Sequence, residues 1–226
     1  MKIVIIIMMM MSVVSGKKER IIIKESFDYP DGKLPSIWWS EGCEAELKDG
    51  RLFVDADTTS YRASTIWLDH ELSGSLKIEF DAHIVASSDN ANNINCFLLY
   101  SDPEGRPLRE TAQERECGSY GLYHELNGYI FTNVANGEES NVRFRVRDNP
   151  GFYLLNENYR GETKAGKTYH IKIEKTNSRF QYWINGEKII DMEDKSYNPL
   201  YNKGLFGFRT WHTAIWWDNL VITQLD

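Results

Sequence analysis

The stretch S-L-K-I-E-F-D-A-H-I-V, residues 75–85, alternates apolar and polar side chains without a break. Its even-numbered positions from Leu76 to Ile84 are apolar, and Lys77, Glu79 and Asp81 lie between them. Because successive side chains of a β-strand point to opposite faces, this pattern predicts a strand with one buried face. The rest of the chain should then supply a second layer that covers this face.

Similar short runs of β-forming residues extend along the whole chain, separated by turn dipeptides such as Asp49-Gly50 and Asn185-Gly186. Helical periodicity is almost absent. The many strand-like runs and the near absence of helical ones predict an all-β protein, with two packed antiparallel sheets in a jelly-roll sandwich. We expect strands at residues 21–27, 51–56, 64–69, 75–85, 94–100, 120–134, 142–147, 168–176, 180–184, 188–192, 205–210 and 215–223.

One long polar stretch, residues 101–118, interrupts this series. A loop of this length inside a compact domain is usually functional or mobile, and this one could contain a single helical turn.

The N-terminus has the pattern of a secretory signal peptide. Lys2 is followed by an apolar run at residues 3–14, broken only by Ser12, and then by small residues. We expect residues 1–16 to be removed, leaving one jelly-roll domain at 17–226 that is periplasmic or extracellular. The alternative is a buried N-terminal strand. No later segment has the length of a transmembrane helix.

The formal net charge of −7 at pH 7 gives no reason to expect nucleic acid as a partner, because a phosphate-binding domain should be basic. The three cysteines, Cys43, Cys96 and Cys117, match no zinc-binding spacing. They form either one disulfide with one free thiol or three buried thiols, and we favour the absence of a bridge.

A set of short motifs occurs in a recognisable order: Asn95-Cys96-Phe97, Tyr123-His124, Arg143-Phe144-Arg145, Trp183-Ile184-Asn185-Gly186 and the run from Gly204 to Arg209. In these motifs the chain resembles the YesU-type, concanavalin A-like (galectin-like) jelly-roll proteins encoded in bacterial polysaccharide-utilisation clusters. It is more distantly similar to the 3-keto-disaccharide hydrolase domain. The resemblance implies work on carbohydrates and assigns no catalytic residue.

Residues 120–129 contain side chains that suit a polysaccharide lyase. Such an enzyme needs a base for the proton α to a uronate carboxylate, and a cation or hydrogen-bond donor for the resulting enolate. His124 is our candidate base, and Tyr123 or Tyr129 the acid for the leaving oxygen. Arg143 or Arg145 would hold the carboxylate. In the alternative reading His124 is an ordinary hydrogen-bonded strand histidine.

Arg143, Arg145 and Arg147 alternate with apolar residues and should share one face of a strand. Arginine matches the geometry of a carboxylate, so at least one of them is a candidate for substrate binding. Alternatively, they pair on the surface with Glu138, Glu139 or Asp148.

The segment from Leu205 to Trp217 supplies the candidates for sugar binding. By alternation Phe206 and Phe208 belong to the core, whereas Arg209 and Trp211 face the other way, where a sugar could stack on the indole. Asn95 and His212 complete the set. In the alternative reading Trp211 covers a sheet edge and Arg209 pairs with Asp218.

Two further possibilities find less support. Glu79 and Asp81 invite comparison with a retaining glycosidase, but Ile84 stands where the family 16 motif needs its second glutamate. Aspartates and asparagines near residues 55–57 and 89–93 could offer oxygen ligands to a structural calcium ion, although Asx turns explain them better.

These observations predict a secreted carbohydrate-active protein without a cofactor, whose partner is an acidic poly- or oligosaccharide. A lyase acting by β-elimination on a uronate-containing glycan is the leading hypothesis. The alternatives are a glycoside hydrolase of the same fold and a non-catalytic glycan-binding module.

Overall fold

A computed structural model describes residues 19–136, 140–196 and 198–225. The predicted signal peptide lies outside this part of the chain. The described residues form β1 (Glu19–Glu25), β2 (Trp38–Gly42), β3 (Ala45–Lys48), β4 (Arg51–Asp55), β5 (Ala63–Ser73), β6 (Ser75–Ala86), β7 (Ile94–Ser101), β8 (Asn127–Val134), β9 (Ser140–Asn149), β10 (Tyr153–Glu162), β11 (Lys167–Thr176), β12 (Arg179–Ile184), β13 (Glu187–Glu193), β14 (Lys203–Trp211) and β15 (Ala214–Leu225).

The strands form two antiparallel sheets, which confirms the predicted jelly-roll sandwich. One sheet has the order β13-β12-β11-β6-β15-β4-β3, with β1 also paired to β15. The other has the order β10-β9-β8-β7-β14-β5-β2. The apolar side chains of β6, from Leu76 to Ile84, are fully buried between the sheets, and Phe206 and Phe208 cover them from β14.

The sequence-based strand assignment was wrong at one site that matters for function. Residues 120–126, expected to begin a long strand, instead contain a 3-10 helix at Tyr120–Tyr123, and β8 begins only at Asn127. A second 3-10 helix spans Ala112–Arg115. The sequence analysis also missed β2, β3 and β10.

The long polar stretch lies over the outer face of the seven-stranded sheet. We call residues 102–126 the cover segment. Its apolar side chains form a second hydrophobic cluster with residues that point out of the sheet, away from the main core. The cluster contains Leu108, Tyr123 and Leu126 of the segment and Trp39, Trp67, Phe97, Tyr100 and Ile130 of the sheet.

The three cysteines are free thiols, with Cys43 and Cys96 buried and Cys117 exposed. No helix in the described part of the chain has the length and hydrophobicity needed to cross a membrane.

Candidate functional site

A polar row crosses all seven strands on the outer face of the sheet. Its members are cross-strand partners of one another, so their side chains stand side by side on the same face. In spatial order they are Glu41, Thr65, Arg209, Asn95, Thr132, Arg145 and Glu157.

The cover segment is held against one side of this row. Arg115 donates from Nε to Glu41 Oε1 at 2.9 Å, and its Nη2 donates to the Leu108 carbonyl at 2.8 Å. Glu41 also accepts a hydrogen bond from Trp67 Nε1 at 3.0 Å. At the end of the segment Gly118 packs so closely on Gly42 that a Cβ on Gly118 would lie 2.9 Å from the Gly42 Cα. The segment is therefore a fixed wall beside the row.

A pocket of about 240 Å³ lies beside the wall, over the middle of the polar row. The middle of the polar row forms its floor, Tyr120 of the cover segment forms one side, and Trp211 at the end of β14 forms the opposite side. The lining residues are Asn93, Asn95, Tyr120, Thr132, Val134, Asn136, Arg145, Arg209 and Trp211. The structure thus brings together four of the predicted site residues: Asn95, Arg145, Arg209 and Trp211.

Arg209 ties the floor to the wall. Its Nη1 donates to Thr65 Oγ1 at 2.7 Å and its Nη2 donates to the Gly118 carbonyl at 3.0 Å. The guanidinium carbon lies 4.8 Å from the centre of the Tyr120 ring and 4.9 Å from that of Tyr123, within the range of cation–π attraction. The predicted alternative, a pair with Asp218, is wrong, because Asp218 belongs to the other sheet.

Trp211 presents an accessible indole at the mouth of the pocket. Trp211 is 41 % exposed, and the centre of its ring lies 4.2 Å from that of the His212 ring. His212 does not line the pocket, and its Nδ1 is bonded to the Asp89 carboxylate. His212, predicted to bind substrate, therefore contacts the Trp211 ring without lining the pocket itself.

Arg145 carries a positive charge with little compensation. The nearest carboxylate among the described residues is Glu157, whose Oε2 is 4.0 Å from Arg145 Nε and equally far from Arg143 Nε. Burial, followed by repulsion from Arg143 and Arg147, lowers the pKa of Arg145. Of the carboxylates named in the sequence analysis, Asp148 is fully buried, and Glu138 and Glu139 lie outside the described residues.

The electrostatics of the pocket favour an anionic or hydroxyl-rich ligand. Within the described chain no carboxylate lines it, whereas two guanidiniums do. Asn93 Oδ1 is buried without a hydrogen-bond partner in the described structure, and buried polar atoms are normally satisfied. A ligand that donates a hydrogen bond to this oxygen and accepts from Arg145 would complete the site.

The predicted catalytic residues Tyr123 and His124 belong to the cover segment and do not line the pocket. Tyr123 is fully buried, and burial raises the pKa of its hydroxyl. His124 follows the 3-10 helix, so its assignment to a strand was wrong, and its ring stacks on Phe152 at 3.9 Å. Burial, then Arg209 and Arg147, lower the pKa of His124, which keeps the imidazole neutral at pH 7.

Tyr129 and Arg143 are also separated from the pocket. Tyr129 points into the core between the sheets, where its hydroxyl donates to Asp194 Oδ2 at 2.9 Å. The structure therefore places Tyr129 on the opposite face of the sheet from the residues that line the pocket. Arg143 faces the correct side and pairs with Val134, which lines the pocket, but Arg143 itself lies farther along that row, between Val134 and Tyr159.

The two less-supported sites are elsewhere. Glu79 and Asp81 lie in the eight-stranded sheet, where Asp81 accepts a hydrogen bond from Asn219 and contacts His170. Asp55 Oδ1 accepts from the backbone N–H groups of Asp57 and Thr58, which is the geometry of an Asx turn. The described residues contain no group of three or more histidine, cysteine, aspartate or glutamate side chains placed to hold a metal ion.

Sequence reasoning missed Tyr120, Asn93, Thr132 and Asn136. Period-two alternation from Asn95 would have placed Asn93 on its face, and the same alternation along β8 would have placed Thr132. No signal identified Tyr120, because its place depends on how the cover segment folds back over the sheet.

Comparison with family models matches residues 59–220 to the family described as "Domain of unknown function (DUF6250)". This chain belongs to that family. The match includes β5 to β14 and every residue that lines the pocket. A search of the curated proteins finds no match.

Solved structures share the fold of this DUF6250 chain. A protein of unknown function with a galectin-like fold from Bacillus subtilis superposes with a TM-score of 0.76 at 18% identity, over 92% of this chain and 98% of that one. The carbohydrate-binding module CBM66 from Bacillus subtilis gives a TM-score of 0.57 at 18% identity, over 81% and 93%. SCLam, a non-specific endo-β-1,3(4)-glucanase of family GH16, gives 0.60 at 8% identity, over 96% and 94%.

At these identities the likeness establishes a galectin-like jelly roll. The link to polysaccharide-utilisation clusters and to 3-keto-disaccharide hydrolases stays a prediction.

Proposed function

We propose that this protein binds an acidic saccharide in the pocket between Tyr120 and Trp211. The observation that carries the proposal is the arrangement of an exposed indole beside Arg145, above a floor of amide side chains. An indole face packs on the C–H face of a sugar, and a guanidinium binds a carboxylate with two hydrogen bonds. Proteins with a similar fold include a carbohydrate-binding module and a glucanase, which agrees with this use of the fold.

Residues of the described lining support binding better than hydrolysis. A glycosidase of the common type places two carboxyl groups on either side of the scissile bond. The described lining contributes amides, hydroxyls and guanidiniums, so none of its members supplies that pair.

Elimination is the second candidate, favoured by the Tyr120 hydroxyl. Tyr120 lines the pocket beside Arg145, so its hydroxyl would donate a proton to a leaving oxygen while Arg145 holds the carboxylate. His124, the base expected from the sequence, stands behind Tyr120 in this version, and the two rings meet edge-on at 5.0 Å. In this version Tyr120 replaces Tyr123 as the proton donor.

The binding proposal is tested by calorimetric titration with galacturonate, alginate-type and glucuronate-bearing oligosaccharides and with neutral counterparts. Trp211→Ala should weaken binding about 30-fold, because burying roughly 80 Å² of indole contributes about 2 kcal/mol. Trp216→Ala is the matched control, since Trp216 faces outward from the opposite sheet and stacks on His83. If Trp211→Ala and Trp216→Ala have equal affinity for every oligosaccharide that the wild-type protein binds, the proposed site is refuted.

Arg145→Met separates acidic from neutral ligands. The variant should lose affinity for uronate oligosaccharides and keep its affinity for neutral ones. Following the same mixtures for an unsaturated uronate product distinguishes the two candidates. Binding without product supports a binding protein, whereas product that disappears in Tyr120→Phe and His124→Ala establishes elimination.

A further inference from the structure

We propose that the pocket is one end of a groove that binds several consecutive units of an acidic glycan chain, with Tyr159 and Arg143 forming a second subsite. This inference rests on the proposed function and adds the length of the ligand and its path. The path follows the row of residues next to the polar row, on the side away from the cover segment.

The register of the sheet defines this second row. Trp211 stands at one end on β14, and Val134 on β8 pairs with Arg143 on β9. Arg143 in turn pairs with Tyr159 on β10. Neighbouring strands are about 4.8 Å apart, so the four intervals from β14 to β10 separate the two aromatic residues by roughly 19 Å. This span is several times the width of a single sugar ring.

Tyr159 forms a platform similar to Trp211. Its side chain is 48 % exposed, although it is a large ring on the face of a sheet. The hydroxyl donates to Glu157 Oε1 at 3.0 Å, which holds the ring beside Arg143. A ring that is oriented by its hydroxyl and leaves much of its surface open is suited to stacking against a sugar.

The charge between the two aromatic platforms favours an acidic repeat. Arg143, Arg145 and Arg147 stand next to one another along β9, and the described carboxylate that they face on β10 is Glu157. The Nε atoms of Arg143 and Arg145 are buried and have no hydrogen-bond partner in the described structure. One carboxylate therefore faces three guanidinium groups, and a glycan with a carboxylate on successive units would neutralise the positive charge that Glu157 leaves uncompensated.

Among the described residues, the cover segment and the neighbouring strands leave this path uncovered. The cover segment packs on the opposite side of the polar row, over Trp67, Phe97 and Ile130. β10 is the edge strand of its sheet, so no further described strand closes the groove beyond Tyr159. A chain can therefore enter at the edge of the sheet and leave past Trp211.

The test is a titration with uronate oligosaccharides of increasing length, from monomer to hexamer, prepared from the galacturonate, alginate-type and glucuronate-bearing glycans. In the wild-type protein, affinity should rise with length beyond the dimer and then reach a plateau. Tyr159→Ala should weaken binding of the long oligomers roughly three- to tenfold and leave the monomer and dimer unchanged. Trp211→Ala should weaken binding at every length.

Tyr153→Ala is the matched control. Tyr153 is a tyrosine of the same strand with 50 % exposure, but it pairs with Asp148 and so lies in the opposite alternation. The Tyr153→Ala variant should bind oligosaccharides of every length as tightly as the wild-type protein does. Affinity that is independent of length, or a Tyr159→Ala variant that matches Tyr153→Ala, would overturn the groove while leaving the Trp211 pocket and the proposed function in place. Failure of every oligomer to bind would overturn both.

Discussion

Replacing Arg115 by methionine should loosen the cover segment and lower the stability of the whole domain. Arg115 is 2 % exposed and Glu41 is 3 % exposed, and the guanidinium Nη2 lies 2.8 Å from Glu41 Oε1. Burial already raises the pKa of Glu41 against the opposing effect of Arg115. Removing only the cation leaves a buried carboxyl group that must either stay charged or take up a proton.

The expected loss is about 3–5 kcal/mol, the usual result of removing one partner from a buried ion pair. For a domain of this length each kcal/mol lowers Tm by about 2–4 °C, so the melting temperature should fall by roughly 6–20 °C. Thermal unfolding followed by circular dichroism measures this change. Hydrogen exchange should rise in residues 108–123, because Arg115 bonds to Leu108 and Thr111 within that segment.

Arg109→Met is the matched control within the same segment. Arg109 pairs with Asp69 at 2.7 Å, but both side chains are more than a third exposed, and exposed pairs contribute about 0.2–1 kcal/mol. The double substitution Glu41→Leu with Arg115→Met should recover part of the loss, because it leaves no unpaired charge. Equal melting temperatures for Arg115→Met and Arg109→Met would refute the assignment of Arg115 as the anchor of the wall.

Three further outcomes are expected. Asp148→Asn should raise Tm at pH 7 and have little effect at pH 3. Burial raises the pKa of Asp148 above its ordinary 3.8, so the folded state binds this proton more tightly than the unfolded state and wild-type stability falls as the pH rises through that window. A gain in Tm that does not vary with pH would contradict this. Gly42→Ala should lower the urea midpoint strongly, because the added Cβ would lie 2.2 Å from the Ala63 carbonyl oxygen and the φ of Gly42 is +87°. Gly121→Ala is the control, because Gly121 has open space around it. Similar urea midpoints for the two variants would count against the packing described. In the native protein a thiol reagent should modify Cys117 alone, and in denaturant all three cysteines; rapid native modification of a second thiol would show that the buried positions open.

Alternation in the sequence predicted much of the fold because burial on one face imposes period two. β6 was expected at residues 75–85 and spans Ser75–Ala86. The same reasoning separated Phe206 and Phe208 from Arg209 and Trp211, as the structure confirms. Only residues on a single strand are related in this way.

The candidate site depends on relations that alternation does not contain. Asn95, Thr132 and Arg145 adjoin because three strands pair in one register, and register between strands is set by turns and by packing against the other sheet. The face of Tyr129 could not be assigned for the same reason, since it became clear only when β8 was paired. Tyr120 reaches the pocket through the tertiary fold of the cover segment, which no local pattern specifies.

The pocket combines two kinds of residue with different freedom to change during evolution. Arg209 and Thr132 stand in the middle of paired strands and are buried, so most substitutions there would disturb the fold as well as the ligand. Trp211 stands at a strand end and is 41 % exposed, so a change of side chain there disturbs fewer neighbours. Relatives that differ in the sugar they accept should therefore differ first at the rim of the pocket, over an inherited floor.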